Sequence, residues 1–224
     1  MATRYSPKIV SNGLIQYLDA GNIKSYIGSG NTCADLSKNG NSHTLQNTPA
    51  FSGANGGSIV FDGVDDFTQS NTDILLSGNY TLEIAFRRTS SRGDWVRIFG
   101  HSNDGSVRFW GLWIPASFDS VLWQSYRSGG EFSKSYAFSL NQDYVLTFSN
   151  TSTTATMYVN GISLGTGTTG TIDYTGNTSK ITIGYAGFHT YHVGPLYYAR
   201  IYNRALSGSE VFQNYNATKR RFGL

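Results

Sequence analysis

The chain has 224 residues, of which 39% are hydrophobic, 14% aromatic and 14% charged, and its formal net charge is +3. This length suits one all-β domain with a substantial core, and low charge combined with ordinary apolar content argues against a disordered chain. The small net charge favours neither nucleic acid nor an anionic membrane as a partner. The single cysteine, Cys33, excludes an intrachain disulfide, so burial must supply the stability.

The first predicted element is a short strand within residues 13–21, after which regular alternation is lost over residues 22–57. This second segment is rich in Gly, Ser, Asn and Asp, a composition typical of a long ordered loop or of a few short strands. Residues 58–62 resume the strand pattern, with Ile59 and Phe61 on one face. A turn that contains glycine and aspartate follows them.

The central part of the chain alternates more regularly. In residues 80–88, apolar side chains occupy every second position, which is the pattern of a half-buried strand. Asn160-Gly161 separates two further strands and favours a type I′ hairpin turn, because both central residues of that turn need a positive φ. The remaining strands are predicted at 95–100, 106–113, 119–126, 132–138, 143–150, 180–187 and 195–204. About a dozen strands at this spacing predict an all-β, two-sheet antiparallel β-sandwich of the jelly-roll type.

One short C-terminal helix is predicted over residues 208–217. Ser207 and Glu210 form a capping box, in which the hydroxyl accepts from a backbone amide of the first turn and the carboxylate accepts from the amide of Ser207. Val211 and Tyr215 are four residues apart and therefore share a face of this helix.

Several segments resemble the laminin-G-like, concanavalin A-like jelly-roll superfamily. They are SIVFDGVDDF at 58–67, TATMYVNGISLGT at 154–166 and RIYNRALSGSEVFQNYN at 200–216. The opening segment, 13–41, and the ending NATKRRFG, 216–223, resemble a subfamily found in structural proteins of tailed bacteriophages. The resemblance covers nearly the whole chain.

The resemblance implies a single laminin-G-like domain over 1–224, with an N-terminal arm at 1–12 and a C-terminal tail at 218–224. It also implies a structural or interaction protein of a phage virion, either a capsid decoration or a fibre component. Such a protein would be made in the host cytoplasm, since no signal peptide is visible. The expected partners are capsid or tail proteins, with cell-surface glycans and a second copy of the chain as further candidates. A stand-alone carbohydrate-binding module is the alternative, because lectins share this fold.

Catalysis is not expected. Laminarinase-type hydrolases of this superfamily carry an E-x-D-x-x-E motif, because a retaining mechanism needs two carboxyl groups about 5–5.5 Å apart. The three glutamates of the chain, Glu83, Glu131 and Glu210, are not followed by that pattern. We therefore name no catalytic residue, and a glycoside hydrolase remains the weakest of the functional alternatives.

A structural calcium ion is the one cofactor that the sequence suggests. The candidate ligands are Asp35, Asp62, Asp65 and Asp66, which occur in turn-rich segments. Calcium takes 6–8 oxygen ligands from carboxylates and backbone carbonyls. Superfamily members often hold calcium at the edge of the sandwich, but the acidic residue usual before the RIYNR segment is Tyr197 here. The alternative is that these carboxylates only accept hydrogen bonds from turn amides.

The four tryptophans cluster within residues 95–123, among arginines and tyrosines, and this cluster is the first candidate binding surface. Aromatic faces stack on sugars and arginine supplies planar donors, as a glycan groove requires. The same residue types also fill cores and protein interfaces, so three interpretations stay open. The candidates are Trp95, Arg97, Arg108, Trp110, Trp113, Trp123, Tyr126 and Arg127.

The two chain ends are the second candidate surface, for docking on a virion. The candidate residues are Arg4, Tyr5, Lys8, Lys219, Arg220 and Arg221. Cationic ends suit an acidic capsid surface, whereas packing along the sandwich is the alternative. If docking is their role, deletion of 1–8 or of 219–224 should leave the isolated domain folded and thermally unchanged.

Overall fold

The computed structural model describes residues 7–91, 93–102, 109–125, 130–170, 172, 180–185 and 191–223. Within them, sixteen strands form two antiparallel sheets, and one α-helix follows near the C-terminus. This confirms the predicted all-β, two-sheet antiparallel sandwich of jelly-roll type with one short C-terminal helix. No helix in the described part of the chain combines the length and the apolar character needed to cross a bilayer.

The strands lie close to the positions that alternation predicts in the centre of the chain. In chain order they are β1 (Leu14–Asp19), β2 (Thr32–Cys33), β3 (His43–Gln46), β4 (Ala50–Ser52), β5 (Ser58–Asp62), β6 (Phe67–Ser70), β7 (Asn79–Arg87), β8 (Val96–Ser102), β9 (Phe109–Ile114), β10 (Ser120–Ser125), β11 (Gly130–Ser135), β12 (Asp143–Thr151), β13 (Thr154–Val159), β14 (Ile162–Thr168), β15 (Ile181–Ile183) and β16 (Val193–Tyr202).

Both sheets place strands side by side that are far apart in the sequence. Sheet A has the spatial order β14-β13-β12-β7-β16-β5-β4, and β1 pairs with the part of β16 that extends beyond β5. Sheet B has the order β11-β10-β9-β8-β15-β6-β3-β2. The β13–β14 hairpin turns at Asn160 and Gly161, whose φ angles are 51° and 76°, which confirms the predicted type of turn.

The core lies between the sheets and is strongly aromatic. Trp123 of sheet B stacks on Phe148 of sheet A at a centroid distance of 4.3 Å, and Trp110 lies 5.7 Å from Trp123. Leu82 and Leu146 fill the same layer and are fully buried. Large rings that are almost entirely removed from water supply much of the burial on which a chain without a disulfide depends.

The segment at 22–57 contains short strands rather than one long loop. β2, β3 and β4 have only two to four residues each, and a 3-10 helix spans Ala54–Gly56. The acidic turn after β5 extends as far as Asp66, because the next strand begins at Phe67. Asp62 is the last residue of β5, and the turn runs from it to Asp66.

The outer face of sheet A is covered by the C-terminal helix, α1 (Gly208–Thr218). Its capping box is present as predicted: the Ser207 hydroxyl accepts from the Glu210 amide, and the Glu210 carboxylate accepts from the Ser207 amide at 2.9 Å. The segment predicted as a C-terminal tail contains a 3-10 helix at Lys219–Phe222. It packs on the sandwich because Phe222 is buried against the ring of Tyr197 at 4.7 Å.

Candidate functional site

A pocket of about 230 Å³ lies on the outer face of sheet B. It is called the sheet B pocket here, and it is lined by Trp95, Trp113, Leu122, Gln124 and Glu131. Side chains alternate along each strand, so the neighbours of these residues point the other way, into the core. The pocket therefore follows from the strand pattern of β9, β10 and β11.

Two cross-strand rows build the pocket. In the first row, Trp113 of β9 pairs with Leu122 of β10, and the two form a small apolar cluster apart from the main core. In the second row, Gln124 of β10 pairs with Glu131 of β11, and the Gln124 amide donates a hydrogen bond of 3.0 Å to the Glu131 carboxylate. An aromatic and aliphatic surface thus lies beside a polar pair that offers both a donor and acceptors.

Arg97 lies beside this pocket, in a trough made by two glycines. Gly100 and Gly111 are directly opposite each other on β8 and β9. A Cβ atom on Gly100 would lie 2.7 Å from the Arg97 Cδ, and one on Gly111 would lie 2.5 Å from it. Only glycine therefore leaves room for the arginine side chain to run flat along the sheet.

Each of the three guanidinium nitrogens of Arg97 donates to an acceptor within the protein. The group donates to the carbonyl oxygens of Tyr185 at 2.8 Å and of His101 at 2.7 Å, and to the Thr182 hydroxyl at 3.2 Å. Its central carbon lies 5.4 Å from the centre of the Trp113 ring, and the residue is 1% exposed. Burial lowers the pKa of Arg97 to about 9, so the group stays charged at neutral pH. The prediction that Arg97 contacts a ligand is corrected: it supports Trp113 from within the protein.

The four tryptophans divide between two surfaces. Trp110 and Trp123 are 1% and 0% exposed and lie in the core, so for them the core interpretation is correct and a ligand cannot reach them. Trp113 is 3% exposed on the outer face, and Trp95 is 36% exposed at the pocket. The sequence itself indicates this division, because Trp110 and Trp113 are three residues apart and such residues on a strand face opposite sides.

Three residues of the predicted cluster cannot be placed in the structure, and some residues of the pocket were not predicted from the sequence. Arg108, Tyr126 and Arg127 lie outside the described residues. Leu122 and Gln124 were missed by the sequence reasoning, although their spacing of two places them on one face of β10. Their proximity to Glu131 depends on the β10–β11 register, which no local pattern specifies.

The three glutamates have separate positions. Glu83 is fully buried on the outer face of sheet A and receives a hydrogen bond of 2.6 Å from Arg200. Glu210 caps α1 and pairs with Arg204, which with the Ser207 contacts lowers its pKa to about 2. Glu131 is the single carboxylate among the residues that line the sheet B pocket in the described chain.

The four candidate metal ligands fall into two places. One carboxylate oxygen each of Asp62, Asp65 and Asp66 lies within 4.8 Å of the other two. Asp35 is not part of this group. Its carboxylate accepts from the backbone amides of Tyr17 and Ser37, both at 2.8 Å, which is the turn-amide role that the sequence left as an alternative.

The C-terminal docking residues mostly contact the sandwich itself. Arg221 donates to the Asp19 carboxylate at 2.6 Å and to the carbonyl oxygen of Asn55 at 2.8 Å. The Lys219 ammonium lies 5.4 Å from the Tyr215 ring, whereas Arg220 is exposed. Arg221 is therefore a packing residue, which corrects the prediction that it docks on a partner.

The N-terminal docking residues are described only in part. Lys8 is exposed, and its carbonyl oxygen accepts from the Gln213 side chain of α1 at 2.8 Å. Arg4 and Tyr5 lie outside the described residues. The described part of the arm thus follows the helix rather than extending away from the domain.

Solved structures with this fold include sugar complexes. Domain 4 of AbnA, a GH43 extracellular arabinanase from Geobacillus stearothermophilus in complex with arabinotriose, has a TM-score of 0.75 at 18% identity, over 90% of this chain and 98% of that domain. The botulinum neurotoxin serotype D binding domain has a TM-score of 0.67 at 14% identity, over 92% of this chain. Trypanosoma rangeli sialidase in complex with sialic acid has a TM-score of 0.67 at 15% identity, over 93% of this chain.

These comparisons show the fold. This chain spans 52% of the neurotoxin binding domain and 33% of the sialidase. No curated protein sequence matches the chain significantly. The Laminin_G_3 family profile, described as the concanavalin A-like lectin/glucanases superfamily, matches residues 61–212, which is more than half of the chain. The chain therefore belongs to the concanavalin A-like lectin/glucanase superfamily.

Proposed function

We propose that this protein is a non-catalytic carbohydrate-binding domain and that the sheet B pocket holds a sugar residue. The observation that carries the proposal is the combination of lining groups. Trp95 is partly exposed beside the hydrogen-bonded pair of Gln124 and Glu131, in a pocket of about 230 Å³. Sites for small ligands are concave, and they combine apolar walls with a few placed polar groups.

The chemistry of the lining suits a hydroxyl-rich ring. An indole face packs on the apolar C–H surface of a sugar, while an amide and a carboxylate bind neighbouring hydroxyl groups. The Glu131 charge disfavours a sugar that carries its own carboxylate, because like charges repel at short range. The Arg97 guanidinium does not pair directly with such a carboxylate, since its nitrogens donate to three protein acceptors and the residue is 1% exposed.

Two further points support the proposal. The AbnA domain, which shares the fold, is in complex with arabinotriose, a sugar without a carboxylate. Hydrolysis by the usual mechanisms requires two carboxyl groups on either side of the scissile bond. The described lining of the pocket supplies Glu131 alone, and Glu83 is held in a buried ion pair with Arg200.

The proposal is tested by calorimetric titration of the protein with neutral arabino- and gluco-oligosaccharides and with a sialylated trisaccharide. We expect binding of a neutral oligosaccharide and a loss of about tenfold or more in affinity for Trp95→Ala, as is typical when an aromatic contact is truncated. Glu131→Gln should preserve most of the affinity for neutral sugars and improve the affinity for the acidic one.

Phe212→Ala is the matched control, because Phe212 is a half-exposed aromatic residue on α1, which covers sheet A. It should leave sugar affinity unchanged. Equal losses in the Phe212 and Trp95 variants, or no loss in the Trp95 variant, would contradict a site in the sheet B pocket. Release of reducing sugar from any of these oligosaccharides would contradict the absence of catalysis.

A place in a phage virion is a second proposal, carried by the resemblance of residues 13–41 and 216–223 to virion proteins. The inward contacts of Arg221 make the C-terminal end a poor docking surface. The sheet B pocket is instead the surface that we expect such a virion protein to present, for attachment to glycans. This proposal is tested by mass spectrometry of purified virions from a phage that encodes the chain. Absence of the chain from those virions would contradict the proposal.

A further inference from the structure

Glu131 carries the one charge in the described lining of the sheet B pocket. The other lining residues are Trp95, Trp113, Leu122 and Gln124, all of which are uncharged. Glu131 lies at an exposed position of β11, and none of the ion pairs among the described residues includes it. Its negative charge therefore lines the pocket without a counter-charge from the part of the chain that the structure describes.

Two cations of sheet B are directed away from Glu131. Lys134 follows it by three residues on β11 and so faces the other side of the strand, where its ammonium lies 5.9 Å from the centre of the Phe132 ring. The Arg97 guanidinium is held by acceptors on β8 and β15, three and four strands away from β11. Neighbouring strands are about 4.8 Å apart, so these acceptors lie roughly 14 Å or more from β11. Over that distance salt screens most of the attraction between the two charges.

The polar groups of the pocket are mostly acceptors. Glu131 only accepts hydrogen bonds, and the Gln124 amide already donates one N–H to the Glu131 carboxylate at 3.0 Å. A protonated amine brings three donors and no acceptor, whereas a hydroxyl group brings one donor and two lone pairs. The pocket therefore suits an ammonium group better than it suits a hydroxyl group.

The aromatic side of the pocket favours a cation as well. An indole ring attracts a cation to its face more strongly than the other aromatic side chains do. Trp95 is 36% exposed at the pocket, so a ligand can reach it. The same kind of ring packs on the C–H surface of a sugar. A ligand that combines a sugar ring with an amine would use both kinds of contact.

We propose that the sheet B pocket prefers an amino sugar, in which a protonated amine replaces one hydroxyl group of the ring. This inference rests on the proposed function, because it names the class of sugar that the same pocket selects. The sugar ring packs on Trp95, and the amine donates to Glu131, with the Gln124 amide oxygen as a further acceptor. Such a charge-assisted hydrogen bond is stronger than one between neutral groups, so glycans that contain glucosamine bind more tightly than glucans of the same linkage.

The experiment is a calorimetric titration of the full chain at pH 6 with two trisaccharides of the same linkage. Cellotriose is a β-1,4-linked glucan, and the β-1,4-linked glucosamine trimer differs from it by one amine in place of one hydroxyl group on each ring. These amines are protonated at pH 6, since an amine beside electron-withdrawing groups, such as an α-amino group, loses its proton near pH ~8. We expect the glucosamine trimer to bind at least about fivefold more tightly than cellotriose. Added salt should reduce this preference, because it screens an exposed ion pair.

Glu131→Gln should remove the preference. The amide keeps the size of the side chain, so the affinity for cellotriose should stay within about twofold while the glucosamine trimer loses its advantage. Asp65→Asn is the matched control, because Asp65 is an exposed carboxylate in the turn before β6, five strands away from β11 in sheet B. This variant removes the same charge from the protein and should leave the preference unchanged.

The results distinguish this inference from the proposed function. Equal affinities for the two trisaccharides, or an undiminished preference in the Glu131→Gln variant, would overturn the inference and leave sugar binding in place. If neither trisaccharide binds, the inference fails, and the titration with arabino-oligosaccharides decides the proposed function. The peptide Gly-Lys-Gly supplies an amine without a sugar ring. Binding of this peptide as tight as that of the glucosamine trimer would overturn the assignment of the ligand as a sugar.

Discussion

At the scale of single residues, the most demanding arrangement is the buried ion pair on the outer face of sheet A. Arg200 and Glu83 are both 0% exposed, and the N–O distance between them is 2.6 Å. The second Glu83 oxygen accepts from Asn214 of α1 at 3.1 Å, and the Arg200 carbon lies 4.0 Å from the centre of the Tyr198 ring. The two charges can be buried here because they compensate each other, and because the helix supplies a donor to the second Glu83 oxygen.

Removal of one partner should therefore be costly. We expect Glu83→Gln to lower the free energy of unfolding by about 3–5 kcal/mol, because the Arg200 charge stays buried without a counter-charge. Urea unfolding measures the loss. The double variant Glu83→Leu with Arg200→Leu should lose less than the sum of its two single variants, since neither charge then remains. A loss below about 1 kcal/mol for Glu83→Gln would contradict the expected cost of leaving the buried Arg200 charge unpaired.

At the scale of elements, the 3-10 helix at Lys219–Phe222 holds together parts of the chain that are far apart in sequence. Arg221 reaches the Asp19 carboxylate, the Asn55 carbonyl oxygen and the Gly57 carbonyl oxygen. The end of β1 and the segment between β4 and β5 are thus joined through one guanidinium. Its Asp19 ion pair is largely buried, with 17% of the arginine side chain and 12% of the aspartate side chain exposed.

The neighbouring arginine provides a matched test of this element. We expect Arg221→Ala to lower the free energy of unfolding by about 1.5–3 kcal/mol, as for hydrogen bonds to charged groups. Arg220→Ala, at an exposed position of the same helix, should change it by less than about 0.5 kcal/mol. Deletion of 219–224 should likewise lower the Tm, whereas the Tm would stay unchanged if the segment only docked on a partner. Equal stability of the two arginine variants would mean that the Arg221 contacts contribute little.

The elements also show where sequence patterns are sufficient. Residues 80–88 and 143–150 alternate over a full strand and pair with each other as β7 and β12, so the local pattern and the fold agree there. β3 has four residues and pairs with β6, from Gln46↔Phe67 to His43↔Ser70, so a pattern read over a few neighbouring residues cannot show its stabilising contacts. The pocket depends on the registers of the β9–β10 and β10–β11 pairings, which strand alternation alone does not specify, and this explains why only part of its lining was predicted.

At the scale of the whole molecule, two buried histidines make the free energy of unfolding depend on pH. The His43 ring lies between the Gln16 amide, which donates to Nε2 at 2.8 Å, and the Thr68 hydroxyl, 2.9 Å from Nδ1. His192 packs edge-on against Phe61 and Phe86 at centroid distances of 6.0 and 5.9 Å. Both surroundings suit a neutral imidazole, because neither offers a counter-charge to a protonated one.

Burial lowers the pKa of both His43 and His192 to about 3, and for His192 the charge of Arg88 adds to the effect. A histidine in the unfolded chain titrates near ~6.5. Between these two values the unfolded chain binds more protons than the folded protein, so the free energy of unfolding falls as the pH falls. The stabilisation is complete above pH ~6.5 and is lost progressively towards pH ~3.

We therefore expect urea unfolding at pH 7 and at pH 5 to differ by about 2 kcal/mol for each buried histidine. Ordinary carboxylates titrate near pH ~4 and contribute little within this window. His192→Phe keeps an aromatic ring between Phe61 and Phe86 without a titrating group, so it should lose about half of the pH dependence. NMR titration of the wild-type protein should show neutral rings for both residues at pH 5. A free energy of unfolding that is the same at pH 7 and pH 5, or a charged His43 ring at pH 5, would contradict this account of the core.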